Sequence, residues 1–284
     1  MTGLLWTCPD ESYRPDRLER ISKAGDLPAE ELAPGVWFDC LVGLHNAARN
    51  LTTGEIKIAP GARLRDYTLP VGESITLLSG VTIIGVEERE YVLDTLDNIT
   101  IPRNLPHCIR NPSVDEHAIL HIATACGSPG RHPVSRVLKT LLMEESSGGI
   151  DGKERVTRFK TAPRSEAGSS TSFIDYFNKD LVPGIEMSGG YGFFHRGGRL
   201  PAHFHDFDES ICILQGVATC VVEGRRYQMT HDATALQPRG RVHYFINEIE
   251  EPMAMLWVYG GPVPERIVVD ERYATAEHAP WGPT

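Results

Sequence analysis

The strongest constraint on the fold of this 284-residue chain is that it repeats itself. Residues 61–111 align without a gap on residues 197–247 at an offset of 136. The two segments share 17 identities in 51 positions, where composition alone gives roughly three. The shared positions include Gly61/Gly197, Glu73/Glu209, Gly80/Gly216, Pro102/Pro238, His107/His243 and Asn111/Asn247. An ungapped duplication implies two copies of one structural unit. Each copy is a series of short runs rich in Val, Ile, Thr, Tyr and Phe, cut by Gly and Pro: SITLLSGVTIIGV, ICILQGVATCVVEG, PMAMLWVYG. Turn signals at that spacing predict antiparallel strands closed into two β-barrels, an all-β chain.

Residues 1–126 are expected to hold the first barrel, 127–182 a linker or insertion, and 183–284 the second barrel. The polar stretch 10–33 reads as an arm with a short helix that wraps the first barrel. SRVLKTLLMEE, residues 135–145, reads as a helix or part-helix within the linker, between turn-forming Gly/Ser/Pro clusters.

Charge and cysteine usage narrow the function. Thirty-eight acidic against 28 basic residues give a net charge of −10, which argues against nucleic acid or an anionic membrane as partner. The beginning of the sequence lacks the basic-then-apolar pattern of a secretory signal, and no apolar run is long enough to span a bilayer. Six scattered cysteines form no CxxC pair, so free thiols and a cytoplasmic location are expected.

The second copy carries the chemistry. Its PAHFHDFDES segment places His203 and His205 two apart, on one face of a strand, with Glu209 at the same parity if the strand continues. His243 arrives from another strand. Three imidazoles and a carboxylate make a mixed N/O ligand set that leaves positions open on an octahedral cation. At the equivalent positions the first copy has Tyr67, Leu69, Glu73 and His107. Two of its four ligands are gone, so the first barrel is expected to be metal-free. Its expected role is packing against its partner. The alternative is a second small-molecule pocket in which Tyr67, Glu73 and His107 hydrogen-bond a ligand.

The spacing Gly197-x5-His203-x-His205-x3-Glu209-x6-Gly216, then Asp232-x5-Pro238-x-Gly240-x2-His243-x3-Asn247, resembles the two sequence motifs of the cupin superfamily. Asp232 departs from the first Gly of the second motif, at a turn that tolerates it. The spacing between the motifs is near the family's minimum. The resemblance spans both copies and implies a bicupin: two double-stranded β-helix (jelly-roll) barrels in tandem. It implies one divalent transition metal per chain on His203, His205, Glu209 and His243, and a homo-oligomer. Among the ions this set accepts, Fe(II) is the favoured expectation, with Mn, Ni and Zn as alternatives.

Around that centre, Ile211 and Ile213 share the ligands' parity and should face the interior, as should Phe245. Arg241 is a candidate carboxylate or enolate clamp, unless it sits in water or pairs with an acid. His195 is a candidate acid/base, unless it is a surface residue. Asn247 reads as structural, since Asn111 persists in the copy that lost its ligands. One of the alternating sets Met255/Trp257/Tyr259 and Ala254/Leu256/Val258 lines the pocket, and periodicity alone does not choose between them. The expected substrate is a small oxygenated organic molecule. The leading expectation is a non-haem Fe(II) dioxygenase. The alternatives are a non-redox isomerase, lyase or decarboxylase, and a non-enzymatic binding protein.

Overall fold

The computed structural model describes residues 10–134, 141–142, 154–167 and 170–281. The regular structure of these residues is β-strand, with 3-10 turns at Glu11–Tyr13, Leu44–Asn46 and Glu271–Ala274. Apart from Leu141–Leu142, a two-residue strand parallel to Arg89–Glu90, the expected linker helix lies outside the described residues. No described helix is long and apolar enough to cross a membrane.

Each copy folds into two facing sheets with a core between them. In the first, Ile56, Ile75 and Leu120 of one sheet meet Leu64, Ile84 and Ile109 of the other. In the second, Ile211, Ala235 and Met255 meet Cys220, Val222 and Phe245. The tight turns that start new strands use Gly80 and Gly216 in the left-handed region, at φ 80° and 71°. A Cβ at either would lie 2.3 Å from the His117 carbonyl oxygen or 2.5 Å from that of Pro252, so only glycine fits.

The two larger sheets pack back to back. Val42, Leu51 and Ala123 of the first barrel share a cluster with Cys212, Leu236, Leu256 and Val258 of the second. A buried hydrogen bond joins the Thr53 and Ser210 hydroxyls across this seam at 2.7 Å.

The arm corrects one expectation. Its strand Arg20–Lys23 joins the second barrel rather than the first, pairing antiparallel with Ala233–Gln237. Only Glu30–Ala33 returns to the first barrel, against Val36–Val42. In exchange, the linker strand Arg155–Thr157 covers the first barrel's edge strand Asn98–Ile101. An unpaired strand edge exposes a row of backbone donors and acceptors, and each half closes the other's edge.

A matched ion pair locks each exchange. Glu19, in the arm, accepts from Arg225 Nε (2.6 Å), Arg225 Nη2 (2.9 Å) and the Tyr227 hydroxyl (2.7 Å). Glu154, in the linker, accepts from Arg89 Nε (2.5 Å), Arg89 Nη2 (2.9 Å) and the Tyr91 hydroxyl (2.6 Å). Arg89/Arg225 and Tyr91/Tyr227 are equivalent at the repeat offset of 136. Glu19-Arg20-Ile21 and Glu154-Arg155-Val156 extend the repeat at an offset of 135.

Burial alone would raise the Glu19 pKa, but Arg225 and Tyr227 outweigh it and hold the carboxyl below its ordinary 4.5. A carboxyl whose folded pKa lies below its unfolded one contributes stability above the unfolded value and loses it as pH falls through the folded one. Glu19→Gln should therefore lower unfolding stability by about 2–3 kcal/mol at pH 7. The deficit should shrink below pH 4. Urea midpoints for the variant and the parent chain across pH check this, and equal midpoints at pH 7 would refute the lock.

Candidate metal centre

His203 opens the short strand His203–Phe204 and pairs directly with His243, the first residue of His243–Ile246. His205 follows just after the first strand ends, and Glu209 opens Glu209–Gln215 in the facing sheet. One ligand atom from each lies within 4.8 Å of all the others, and all four residues are buried. That span is close to the roughly 4 Å separating ligand atoms that each sit about 2.1 Å from a shared ion.

The backbone orients every imidazole. Nδ1 of His203 donates to the Pro201 carbonyl (2.8 Å), that of His205 to Glu265 (2.7 Å) and that of His243 to Arg241 (2.8 Å). With Nδ1 committed to a carbonyl, Nε2 is the nitrogen each ring can offer a metal, and those of His205 and His243 lie 3.3 and 2.8 Å from Glu209 Oε2. His205 Nε2 is buried with no hydrogen bond among the described residues.

Protonation states agree with this geometry. Burial, reinforced by the neighbouring imidazoles, pushes His203 well below the usual histidine range, and burial lowers His205 as well. Burial opposes the charge on Glu209, yet His205 and His243 outweigh it and hold the carboxyl far down. Neutral imidazoles beside an ionised carboxylate are the forms a cation binds. The residues fit a divalent metal.

The cavity over these ligands is small and apolar. Phe173, Phe194, Ile211 and Phe245 wall it, and Met255, Trp257 and Tyr259 supply the inward face of their strand. Ile213 points into the same core. Ala254, Leu256 and Val258 face the seam between the barrels, which settles the choice periodicity left open.

The two proposed catalytic residues lie elsewhere. Arg241 is fully buried but turned away from the cavity. Its Nη1 donates to Glu223 Oε2 (2.8 Å) and its Nε to the Arg17 carbonyl (2.8 Å). A guanidinium without water needs a carboxylate, and Glu223 supplies one, so Arg241 pins the arm rather than a substrate. Arg17 then grips Asp208 with two 2.8 Å hydrogen bonds, one residue before the ligand Glu209. His195 is exposed at a turn, its ring edge-on to Phe193, outside the cavity.

The cation that does reach the cavity is Arg266, which the sequence reading missed. It comes from the C-terminal segment, where Ile267–Val268 pairs with His203–Phe204. Its Nε donates to the Tyr259 hydroxyl at 3.2 Å. Burial works against its charge, but facing Tyr259, Glu209 and Asp175 outweigh that and keep it cationic. No metal motif extends this far. The one available signal was the repeat itself, since Arg131 stands 135 residues earlier.

Asn247 is structural, as expected. Its Nδ2 donates to the carbonyls of Phe194 and Glu251, and Asn111 makes the same pair of bonds to Ile58 and Glu116. Asp232 takes the turn at φ 68°.

A family model described as a cupin domain matches residues 192–259, the stretch that contains all four ligands. Residues 192–259 are thus a cupin domain. Solved oxalate decarboxylases share the fold over most of the chain. Oxalate decarboxylase from Lactobacillus farciminis, in a formate complex, aligns over 87% of this chain and 88% of its own, with TM-score 0.70 and 14% identity. The Bacillus subtilis enzyme at pH 4.6 aligns over 87% and 78%, with TM-score 0.69 and 14% identity. A further B. subtilis oxalate decarboxylase structure, from an assignment of its Mn(II) centres, aligns over 92% and 82%, with TM-score 0.70 and 14% identity. At these identities the likeness is one of fold. No curated protein matches the sequence.

Two outcomes test the site. Elemental analysis of the bicupin should find about one divalent ion per chain, falling below roughly a tenth of that in His203→Ala/His205→Ala. Arg241→Met should cost about 3–5 kcal/mol of stability, because it removes the buried cation 2.8 Å from Glu223 Oε2, yet leave the metal content of the folded protein unchanged. Unchanged stability would return Arg241 to the cavity.

Proposed function

We propose that this bicupin is a metal-dependent lyase that removes carbon dioxide from a small carboxylate, with the second barrel as its active centre. Arg266 carries the proposal, as a half-buried guanidinium beside the four-ligand cluster in an otherwise apolar cavity. A carboxylate is the group such a cation selects, and the surrounding apolar wall strengthens the attraction by excluding water. The cavity measures about 20 Å³, little more than one water molecule, which argues against bulky acids.

Lewis-acid polarisation is the chemistry a divalent cation supplies when held by His203, His205, Glu209 and His243. The protein's own residues do the rest. Arg266 orients the carboxylate, and Tyr259 positions Arg266 through its hydroxyl. Burial pushes the Tyr259 hydroxyl well above its ordinary pKa, so it stays protonated. When the bond to the departing carboxylate breaks, its electron pair stays on the remaining carbon, and a proton takes the place of CO2. We assign that proton to the Tyr259 hydroxyl, which lines the cavity. Trp257 Nε1, buried without a hydrogen bond among the described residues, offers a further donor to a substrate oxygen. The fold neighbours named as oxalate decarboxylases support the lyase class.

A non-haem Fe(II) dioxygenase is the second reading. The same N/O ligands accept Fe(II), and the enclosed apolar wall suits a site that handles O2. Oxygen dependence separates the two. Protein loaded with Mn(II), or separately with Fe(II), is incubated with oxalate and a panel of small dicarboxylic and 2-oxo acids, without O2 and in air. CO2 release without O2 supports the lyase. Turnover that consumes O2 in step with product replaces it with the dioxygenase, and no turnover with either metal refutes both. In the active form, Arg266→Met should lower kcat/KM by about 100-fold, mostly through KM, with metal content unchanged.

A further inference from the structure

The first barrel lost two ligands, yet it is not simply filled in. Tyr67 stands where His203 stands in the second copy, and its hydroxyl donates to Glu73 Oε2 at 2.7 Å. His107 Nε2 meets the same oxygen at 2.7 Å, while its Nδ1 faces the Leu105 carbonyl at 2.7 Å. Nδ1 therefore carries a proton, and a second proton lies between Nε2 and Oε2. Whichever of the two atoms holds that proton, the Glu73–His107 pair is neutral as a unit.

Above the pair sits Arg131, with its side chain 13% exposed. Its guanidinium lies 5.5 Å from the Phe38 ring centroid and 5.7 Å from that of Tyr67. Nη2 is 3.7 Å from Glu73 Oε1, beyond hydrogen-bond range. Both Nε and Nη2 are buried and make no hydrogen bond among the described residues. That Nε/Nη2 edge is the one with which Arg89 holds Glu154 and Arg225 holds Glu19, two oxygens on two nitrogens each time. On Arg131 the same edge makes no hydrogen bond: its nearest carboxylate oxygen, Glu73 Oε1, stands off at 3.7 Å and belongs to a pair of zero net charge.

The placement of Arg131 is built into the duplication. His132–Pro133 pairs with Thr68 and Tyr67, as Ile267–Val268 pairs with Phe204 and His203. Val134 N donates to the Asp66 carbonyl (2.9 Å) as Val269 N donates to that of Ala202 (3.0 Å). Arg131 and Arg266 thus enter their barrels from equivalent strands in equivalent register. The first copy gave up the metal ligands and kept the arginine.

We propose that the first barrel is a binding site for an organic carboxylate, held by Arg131. Arg131 lines a cavity of about 710 Å³, within the range of small-molecule sites. Phe38, Leu64, Leu32 and Pro129 give it apolar walls, so the ligand carries a hydrophobic body behind its carboxylate. Glu30, Glu31, Arg63 and Arg65 are exposed at the rim, and Arg131 is the deep cation of this cavity. This site is larger than the cavity over the metal ligands and takes a different acid.

Isothermal titration calorimetry on the full chain, stripped of metal by chelation, tests the proposal with benzoate, cinnamate, hexanoate and phenylpyruvate as probes and benzamide as the uncharged control. At least one acid should bind, and the amide of benzoate should bind no better than a tenth as tightly as benzoate if benzoate is that acid. Arg131→Met should weaken the acid by about tenfold or more, Arg131→Lys by less, and Arg266→Met should leave it unchanged. If Arg131→Met does not fold cooperatively, Arg131→Lys against the parent chain decides, because the ammonium cannot reproduce the two-pronged contact. Binding by none of the acids, equal binding of benzoate and benzamide, or loss of binding in Arg266→Met rather than the Arg131 variants would overturn the proposal. Because no turnover is read, failure of the proposed lyase activity leaves this result standing, and the reverse also holds.

Discussion

Each barrel has one sheet edge that it cannot cover itself, and the exchange of strands between the halves is what the rest of the structure hangs on. The arm strand Arg20–Lys23 covers Ala233–Gln237, and Gln237 of that strand lies directly across from Glu209. The edge that the first half closes is thus one strand away from a metal ligand of the second. Glu19 and Glu154, each on an Arg/Tyr pair, make the exchange specific, since a buried carboxylate must find its partners or lose several kcal/mol. Arg241 and Arg17 extend the clamp from the arm to Asp208, beside the same ligand. Residues that look catalytic by their closeness to the motifs are therefore engaged in holding the two halves together.

The two barrels show what a single substitution pattern does to one scaffold. Histidine Nδ1 is fixed to a backbone carbonyl in both, by Arg241 for His243 and by Leu105 for His107. The carboxylate stays in place as Glu209 and as Glu73. In the second barrel, two further imidazoles leave nitrogen lone pairs converging on one point, and a cation is the partner they accept. In the first, the Tyr67 hydroxyl satisfies the carboxylate directly, and Leu69 joins the apolar core. A cation has no ligand set there, while the arginine above remains. The same geometry thus serves two kinds of charge recognition.

Motif spacing made the four ligands legible, although strand parity did not place them: the strand ends at Phe204, and Glu209 comes from the facing sheet. Asn247 was legible for another reason: its twin Asn111 makes the same bonds without a metal nearby. Arg241 was misread because parity around His243 says which face a side chain leaves from, not that Glu223 waits on that face. The arm was misassigned because a four-residue strand carries no mark of which sheet edge it will pair with. The choice between Met255/Trp257/Tyr259 and their neighbours stayed open because both faces of a strand between two packed layers are apolar.

The sequence by itself determined the duplication, the β class, the ligand set of the second copy and its loss from the first. All of these rest on spacings of a few residues or on comparison of one half with the other. Only the tertiary structure decided which arginine reaches each cavity, which face of Met253–Tyr259 lines it and which barrel the arm completes. Those outcomes depend on pairings between strands far apart in the chain, such as Ile267–Val268 with His203–Phe204. Backbone hydrogen bonds make such pairings, and since every residue but proline offers the same ones, the side-chain pattern does not name the partner.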